Sequence, residues 1–323
     1  MLWRSPGVSQ VALDPRCAVV IEDLDPIQQG LLEQLPRLGG EPELNAYARN
    51  LGVGRAPVRE LLDRLDELGY LVRGVPLHDA ADDRYWHLAA VAGHERTERR
   101  GAATVTIRGL DQLGLRIAQI LAQAGIGRVL LDDERPVSLD DLGVGSFHAR
   151  DLLRPREDAA FALLRAASPM TALSAPPGTR PDLVVLVEHG VVDPVRVRPL
   201  MREDTPHLPV LVRELDVVVG PLVRPGDGPC LRCLDLHRRD QDPRWPALAT
   251  QVTARPPEGV ETSLAWFGAA LAAHQVLAVA DGRGVLVAGS SLEVSATYPL
   301  PRYREWSVHA DCGCTALAVQ PQS

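Results

Sequence analysis

The amino-terminal residues alternate between apolar and polar positions in two short runs, VSQVAL and CAVVIE. The turn-forming tripeptide Asp14-Pro15-Arg16 lies between the runs. A period of two over runs of this length is typical of half-buried strands joined by a turn. We therefore expect residues 1–22 to form a small antiparallel hairpin.

Helical spacing of apolar residues replaces this alternation further along the chain. It predicts helices over residues 26–35, 43–51 and 57–68. The third has a proline in its first turn and is followed by Gly69, which are common start and stop signals. The run Tyr-Leu-Val-Arg at 70–73 has the composition of a strand. Helices followed by such a strand outline a winged helix.

A polar, charged stretch then separates two parts of the chain. We predict a first domain over residues 1–75, a partly helical linker over 76–102 and a second domain over 103–323. The second domain opens with the strand TVTIRG, the helix GLRIAQILAQAG and the strand RVLLDD. Strand–helix–strand order implies a parallel sheet with a right-handed crossover, so the predicted fold class is α/β and Rossmann-like.

The same alternation of helices and strands continues to the end of the second domain. It predicts a helix at 158–167, strands at 182–187 and 208–215, and a long apolar helix at 262–280. The long helix is a candidate for buried surface, either in the core or in an interface.

The charge balance argues against nucleic acid as a partner. The 323 residues have a formal net charge of -8, and polyanions are held by neutralising basic side chains. Lysine is missing from the sequence, which excludes Schiff-base chemistry on a lysine amine. The chain shows neither a secretion signal nor a run of eighteen uncharged apolar residues. We therefore expect a cytoplasmic protein that does not associate with membranes.

Cys230-Leu-Arg-Cys233 and Cys312-Gly-Cys314 bring four thiol side chains in two close pairs. Zinc prefers four such donors in a tetrahedron, and a site made wholly of protein ligands is structural. The spacing predicts one zinc ion at this position. Buried free thiols, or a disulfide within each pair, are the alternatives, and the short spacing at Cys312 would strain such a disulfide.

A glycine-flanked loop, Gly109-Leu-Asp-Gln-Leu-Gly114, follows the first strand of the second domain, and AGIGRVLLDD follows its helix. Further along stand DLLRPREDAAFALL, PDLVVLV, GPLVRPGDGPCLRCLDL and the closing CGC. In this order the motifs resemble the ThiF/MoeB family, relatives of the ubiquitin-activating enzymes, over about two thirds of the chain. The resemblance implies a zinc site at the cysteines, a nucleotide site for ATP and a homodimer.

By this resemblance, the nucleotide site would include Gly109, Asp111, Gly114, Asp133 and Arg156. Asp133 stands at the ribose-binding position of the family, or Asp132 if the register slips by one residue, and Arg156 replaces the family's lysine. Asp111 replaces a glycine whose backbone approaches the phosphates, and a carboxylate there would repel them.

Other family positions have also changed. Gln112 replaces a glycine, the run 141–145 lacks the phosphate-binding arginine, and 186–190 lacks the aspartates of the metal and acid motif. We therefore expect a scaffold that has lost adenylation, with ATP binding doubtful. An active adenylyltransferase acting on a peptide or small-protein carboxyl end, through Asp133, Arg154, Arg156 and Glu188, is the alternative.

The amino-terminal hairpin and helices resemble the peptide-recognition domain of PqqD type. Such domains bind a precursor's leader peptide as an added strand. Here the strand edge would lie at residues 17–22, including Val19 and Ile21. The neighbouring groove would be lined by four apolar residues of the third helix: Val58, Leu61, Leu62 and Leu65.

Together the two resemblances imply a protein that captures a precursor leader peptide and presents it to a partner YcaO-type cyclodehydratase. A winged-helix regulator that binds DNA is a second alternative. The acidic residues of the third helix, Glu60, Asp63, Asp66 and Glu67, argue against it. His237 and His309 lie near the zinc cysteines in sequence and are candidates for hydrogen bonding behind them.

Overall fold

The computed structural model describes residues 1–38, 40–71, 82, 85, 86, 93–255 and 259–315. The chain divides into two compact units, Met1–Glu95 and Arg96–Ser323. The division falls inside the segment predicted as a linker. Helix α4 (Gly93–Ala102), expected to be an exposed bridge, buries Arg96 and Arg100 within the second unit.

The first unit begins with a three-stranded antiparallel sheet of order β1-β2-β3. Its strands are β1 (Leu2–Ser5), β2 (Val8–Val11) and β3 (Val19–Ile21). Strands β2 and β3 form the predicted hairpin, with Ser9 opposite Ile21. The pattern did not predict β1.

Three helices follow in the first unit: α1 (Pro26–Leu38), α2 (Glu41–Asn50) and α3 (Arg55–Glu67). Gly69, with φ of 73°, ends α3 in a Schellman motif, because the Tyr70 N–H donates to the carbonyl of Leu65 at 2.8 Å. The predicted strand at 70–73 is not seen at Tyr70 and Leu71. Val72 and Arg73 lie outside the described residues.

The second unit is built on a seven-stranded sheet of order β10-β9-β8-β7-β6-β4-β5. Strands β5, β4, β6 and β7 are parallel, whereas β8, β9 and β10 run antiparallel to their neighbours. The sheet is therefore mixed, and the sequence predicted only its parallel half. The strands are β4 (Thr104–Arg108), β5 (Arg128–Asp132), β6 (Leu183–His189), β7 (His207–Val212), β8 (Asp216–Val219), β9 (Ser290–Ser295) and β10 (Tyr298–Glu305).

The helices of the second unit after α4 are α5 (Gln112–Gln123), α6 (Arg156–Ala167), α7 (Pro194–Arg202), α8 (Leu231–Gln241), α9 (Trp245–Thr253) and α10 (Thr262–Ala280). Helix α10 has the predicted bounds and packs on α5 and β8. By length and composition it could cross a membrane, but half of its 18-residue apolar window is buried inside the protein. It is a core helix with one apolar face left exposed.

Candidate functional site

The four paired cysteines lie together. Cys230 caps helix α8, Cys233 lies in its first turn, and Cys312 and Cys314 come from the segment after β10. Their Sγ atoms are 3.9 Å apart between Cys230 and Cys233, 3.6 Å between Cys230 and Cys312, and 3.5 Å between Cys233 and Cys314. A tetrahedral zinc ion with bonds of about 2.3 Å needs sulfur atoms about 3.8 Å apart.

The chemistry of this cluster also suits a dication. All four cysteines are free of disulfides. Burial raises the pKa of the Cys314 thiol to about 11, so an isolated thiolate there is unfavourable at neutral pH. A zinc ion would hold the four residues as thiolates. The donor set therefore fits structural zinc.

The loop between β4 and α5 needs glycine at both ends. Gly109 has φ of 98°, and a Cβ there would lie 2.5 Å from the carbonyl oxygen of Val187. A Cβ at Gly114 would lie 1.9 Å from the carbonyl oxygen of Gly109. These glycines allow the strand, the turn and the helix to approach one another closely.

Asp111 occupies the amino end of α5. Its Oδ1 accepts hydrogen bonds from the N–H groups of Leu113 and Gly114, each at 2.9 Å. Its Oδ2 lies 2.6 Å from Nε2 of His189 at the end of β6. The backbone donors that could hold a phosphate are therefore already bound to a carboxylate of the protein. Instead of pointing outward at a phosphate, as the sequence suggested, the carboxylate turns onto the helix.

The surroundings keep Asp111 ionised. Burial alone would raise its pKa, but the hydrogen bond and charge of His189, the Gly114 N–H and the charge of Arg156 outweigh burial. The pKa of Asp111 is therefore below its ordinary value. The amino end of α5 is therefore occupied by a negatively charged side chain of the protein itself.

Asp133, the expected ribose ligand, is also fully engaged. Its Oδ2 accepts from the Leu110 N–H at 2.7 Å, and Arg135 Nε donates to Oδ1 at 2.8 Å. Arg156 Nη1 reaches it at 3.3 Å. Burial opposes ionisation, but the Arg135 and Leu110 hydrogen bonds and the arginine charges lower the pKa of Asp133.

Arg156 is buried and bound to two carboxylates. It makes a two-pronged contact with Asp141, with Nε at 3.0 Å and Nη2 at 2.7 Å from Oδ2, besides its contact with Asp133. Its charge is thus neutralised inside the protein. The remaining residues of the alternative catalytic set pair elsewhere: Arg154 with Asp151 at 3.0 Å, and Glu188 with Arg196 at 2.8 Å.

A pocket opens beside these groups. Its lining is Asp111, Gln112, Ser138, Asp140, Asp141, Arg156, His189, Gly259 and Val260. Sequence reasoning missed His189. The signal was its place at the end of a buried parallel strand, because the carboxyl ends of such strands meet at the edge where ligands bind.

Among the described strands of the first unit, β3 lies at an edge of the sheet and pairs with β2 alone. Val19 is half-buried and Val20 is 39% exposed. Binding of an added strand along this edge stays a prediction. The residues expected to line a groove are buried instead. Ile21 is buried too, and the four helix residues assigned to a groove lie in the core of the unit, because their stripe is the face of α3 that packs inward: Val58, Leu61, Leu62 and Leu65.

Solved structures, rather than sequence matches, show which fold this chain shares. No family model and no curated protein sequence matches the chain. Among solved structures, Escherichia coli MccB with MccA superposes with a TM-score of 0.62 over 96% of this chain and 98% of that one, at 13% identity. The chain has the fold of MccB.

Two further structures support this assignment. MccB with ATP gives a TM-score of 0.61 at 15% identity, covering 97% of each chain. PaaA gives 0.61 at 15% identity, covering 93% of this chain and 99% of that one. One MccB structure is described as the microcin C7 biosynthetic enzyme in complex with N-formylated MccA. At these identities the similarity to MccB and PaaA shows the fold.

Proposed function

We propose that this protein binds the leader of a precursor peptide and presents it to a partner modifying enzyme of the YcaO cyclodehydratase class, without adenylating a substrate itself. The observation that carries the proposal is the carboxylate of Asp111 at the helix end where a nucleotide phosphate would bind. Solved complexes of MccB with MccA support peptide binding by this fold.

ATP binding would require Asp111 to leave its place. A phosphate at the end of α5 would have to displace two backbone hydrogen bonds and the contact with His189. Hydrogen bonds to charged groups contribute roughly 1.5–3 kcal/mol each. Without displacement, the ionised carboxylate repels the phosphate. Both routes weaken nucleotide binding.

Leader binding would use the free edge of β3. Unpaired N–H and C=O groups on an edge strand can pair with an added strand. Val20 offers an exposed apolar side chain at its centre. Helix α3 exposes Glu60, Asp63 and Glu67, which disfavours DNA binding.

We also propose that the protein acts as a homodimer in the cytoplasm. The exposed face of α10 carries Trp266, 45% exposed, and Phe267, 38% exposed. A helix that is apolar on all sides is usually covered on all sides. A second copy of the chain would cover this face, and a reducing compartment would keep the cysteines available for zinc.

An active adenylyltransferase is the second candidate, because MccB has been solved with ATP, and Arg156, which binds Asp133, lines the pocket of the same fold. A pyrophosphate-exchange assay with ATP, magnesium and candidate peptides distinguishes a peptide-binding protein that does not adenylate from an active adenylyltransferase. Our proposal predicts no exchange above a blank, whereas the enzyme would show robust exchange.

Peptide binding is tested with fluorescent peptides translated from short reading frames beside the gene. We expect one to bind the full chain, and Val20→Asp to weaken it about tenfold, equal to about 1.4 kcal/mol. Leu13→Asp is the control, since Leu13 is 78% exposed and lies outside the strands. Equal loss in both variants would contradict binding at the β3 edge.

A further inference from the structure

One face of helix α8 carries Cys233, His237 and Asp240 at positions i, i+4 and i+7. Residues at this spacing lie in one stripe along a helix. The segment that carries Cys312 and Cys314 contacts the whole stripe. His237 Nε2 lies 3.0 Å from the carbonyl oxygen of Ser307, next to the sulfur contacts of Cys233.

His309 connects this segment to the far end of the stripe. Its Nε2 lies 2.8 Å from Oδ2 of Asp240, and its Nδ1 accepts from the Asp311 N–H at 3.0 Å. Since Nδ1 is an acceptor, Nε2 carries the proton and donates to Asp240. The residue is buried, 7% exposed. The ring therefore has a fixed tautomer and a fixed orientation.

The backbone of His309 reaches the second cysteine pair, whose Cys312 sulfur lies 3.6 Å from the sulfur of Cys230 in the first pair. The carbonyl oxygen of His309 accepts from the Cys312 N–H at 2.9 Å. Fixing the His309 ring on Asp240 thus fixes the turn of the second cysteine pair against the first pair.

We propose that Asp240 and His309 are positioning residues for zinc, holding the Cys312–Cys314 turn over α8 so that the four sulfur atoms are arranged before and between metal-binding events. This inference rests on the proposed zinc site. Zinc would leave such a site as its thiolates dissociate from it one after another. If the Cys312–Cys314 turn is held in place, a dissociated thiolate rebinds the ion before it escapes. Mutation of the hydrogen-bond partners behind metal ligands typically lowers metal affinity by roughly tenfold to a hundredfold.

The test measures zinc release from the full, zinc-loaded chain to the coloured chelator 4-(2-pyridylazo)resorcinol. Asp240→Ala removes the acceptor, and we expect release at least about tenfold faster than wild type. Asp240→Asn keeps an acceptor oxygen and should restore slow release. Asp242→Ala is the matched control, because that exposed aspartate at the end of the same helix binds only its own loop, at the Arg244 N–H.

Coupling between the two residues gives a second readout. His309→Ala should accelerate release as Asp240→Ala does, and the double variant should release zinc no faster than either single variant. Wild-type rates in Asp240→Ala, equal acceleration in Asp242→Ala, or additive effects would overturn the inference. A wild-type chain that retains no zinc would overturn the zinc site as well, while leaving the peptide-binding proposal to its own test.

Discussion

At the scale of single residues, Asp111 is the centre of the remodelled site. It caps α5 through two N–H groups and holds His189 with its other oxygen. A side chain that accepts from two buried N–H groups and contacts a half-buried histidine stabilises the fold.

We therefore expect Asp111→Ala to lower the free energy of unfolding by about 3 kcal/mol, from the lost cap and the lost contact with the half-buried His189. Urea denaturation followed by circular dichroism measures it. Glu261→Ala is the control, since Glu261 caps α10 through two N–H groups at an exposed position. Its loss should be smaller, and equal losses would refute the role assigned to His189.

The way in which the free energy of unfolding falls at acid pH should also depend on Asp111. Its folded pKa is below the unfolded value of about 3.9, so the unfolded chain takes up the proton first as the pH falls. The contribution is complete above about pH 4 and disappears below it. Denaturation at a series of acid pH values should show wild type losing stability more steeply than Asp111→Asn. Parallel curves would contradict an ionised Asp111 in the folded protein.

Residue types alone predicted the zinc cysteines, because thiol pairs at close spacing have few other uses. They did not predict the partners of Asp111 or the stripe that ends at Asp240. Those depend on which strand ends and helix faces meet in three dimensions. His189 and Asp111 are 78 residues apart in sequence, a separation that no local pattern bridges.

At the scale of elements, the unit of β4, its loop and α5 is held by close backbone approach. Gly114→Ala would place a methyl group on the carbonyl of Gly109. We expect a loss of about 3 kcal/mol from overpacking. The control is Gly101→Ala in α4, where a Cβ meets nothing within 4 Å; it should be neutral or stabilising by up to about 1 kcal/mol. Equal thermal unfolding curves for the two variants would contradict this packing.

Strong periodicity made some elements predictable and weak periodicity hid others. The parallel strands and α10 are long apolar runs, and their bounds agree with the sequence to within a few residues. Strand β8 has only four residues, four of the six residues of β9 are serine or glutamate, and all of β10 has exposed or undescribed side chains. These three strands therefore lack the long apolar run of a core strand. The stripe of α3 was recognised as apolar, but its pattern is the same for a core face and for a groove.

At the scale of the whole molecule, the described residues form one hydrophobic cluster in the first compact unit and two in the second. Within the second unit, the four-cysteine cluster brings α8 together with a segment about eighty residues later. A zinc ion bound there would cross-link a long loop and so restrict the unfolded chain strongly.

Loss of zinc should therefore destabilise the second unit. Cys233→Ser is expected to bring the bound zinc from one ion per chain towards zero, measured by plasma mass spectrometry, and to lower the melting temperature. Cys17→Ser is the control, because Cys17 belongs to the first unit and is not one of the four clustered cysteines. Full zinc content in Cys233→Ser would contradict the assignment of the metal site.

The central claim is that the protein's own carboxylate has taken the place of a nucleotide phosphate. Isothermal titration of the full, zinc-loaded chain with ATP and magnesium tests it most directly. We predict no saturable heat with the wild-type chain. Saturable binding, with the nucleotide lying over residues 109–114 in a crystal of the same complex, would contradict the claim.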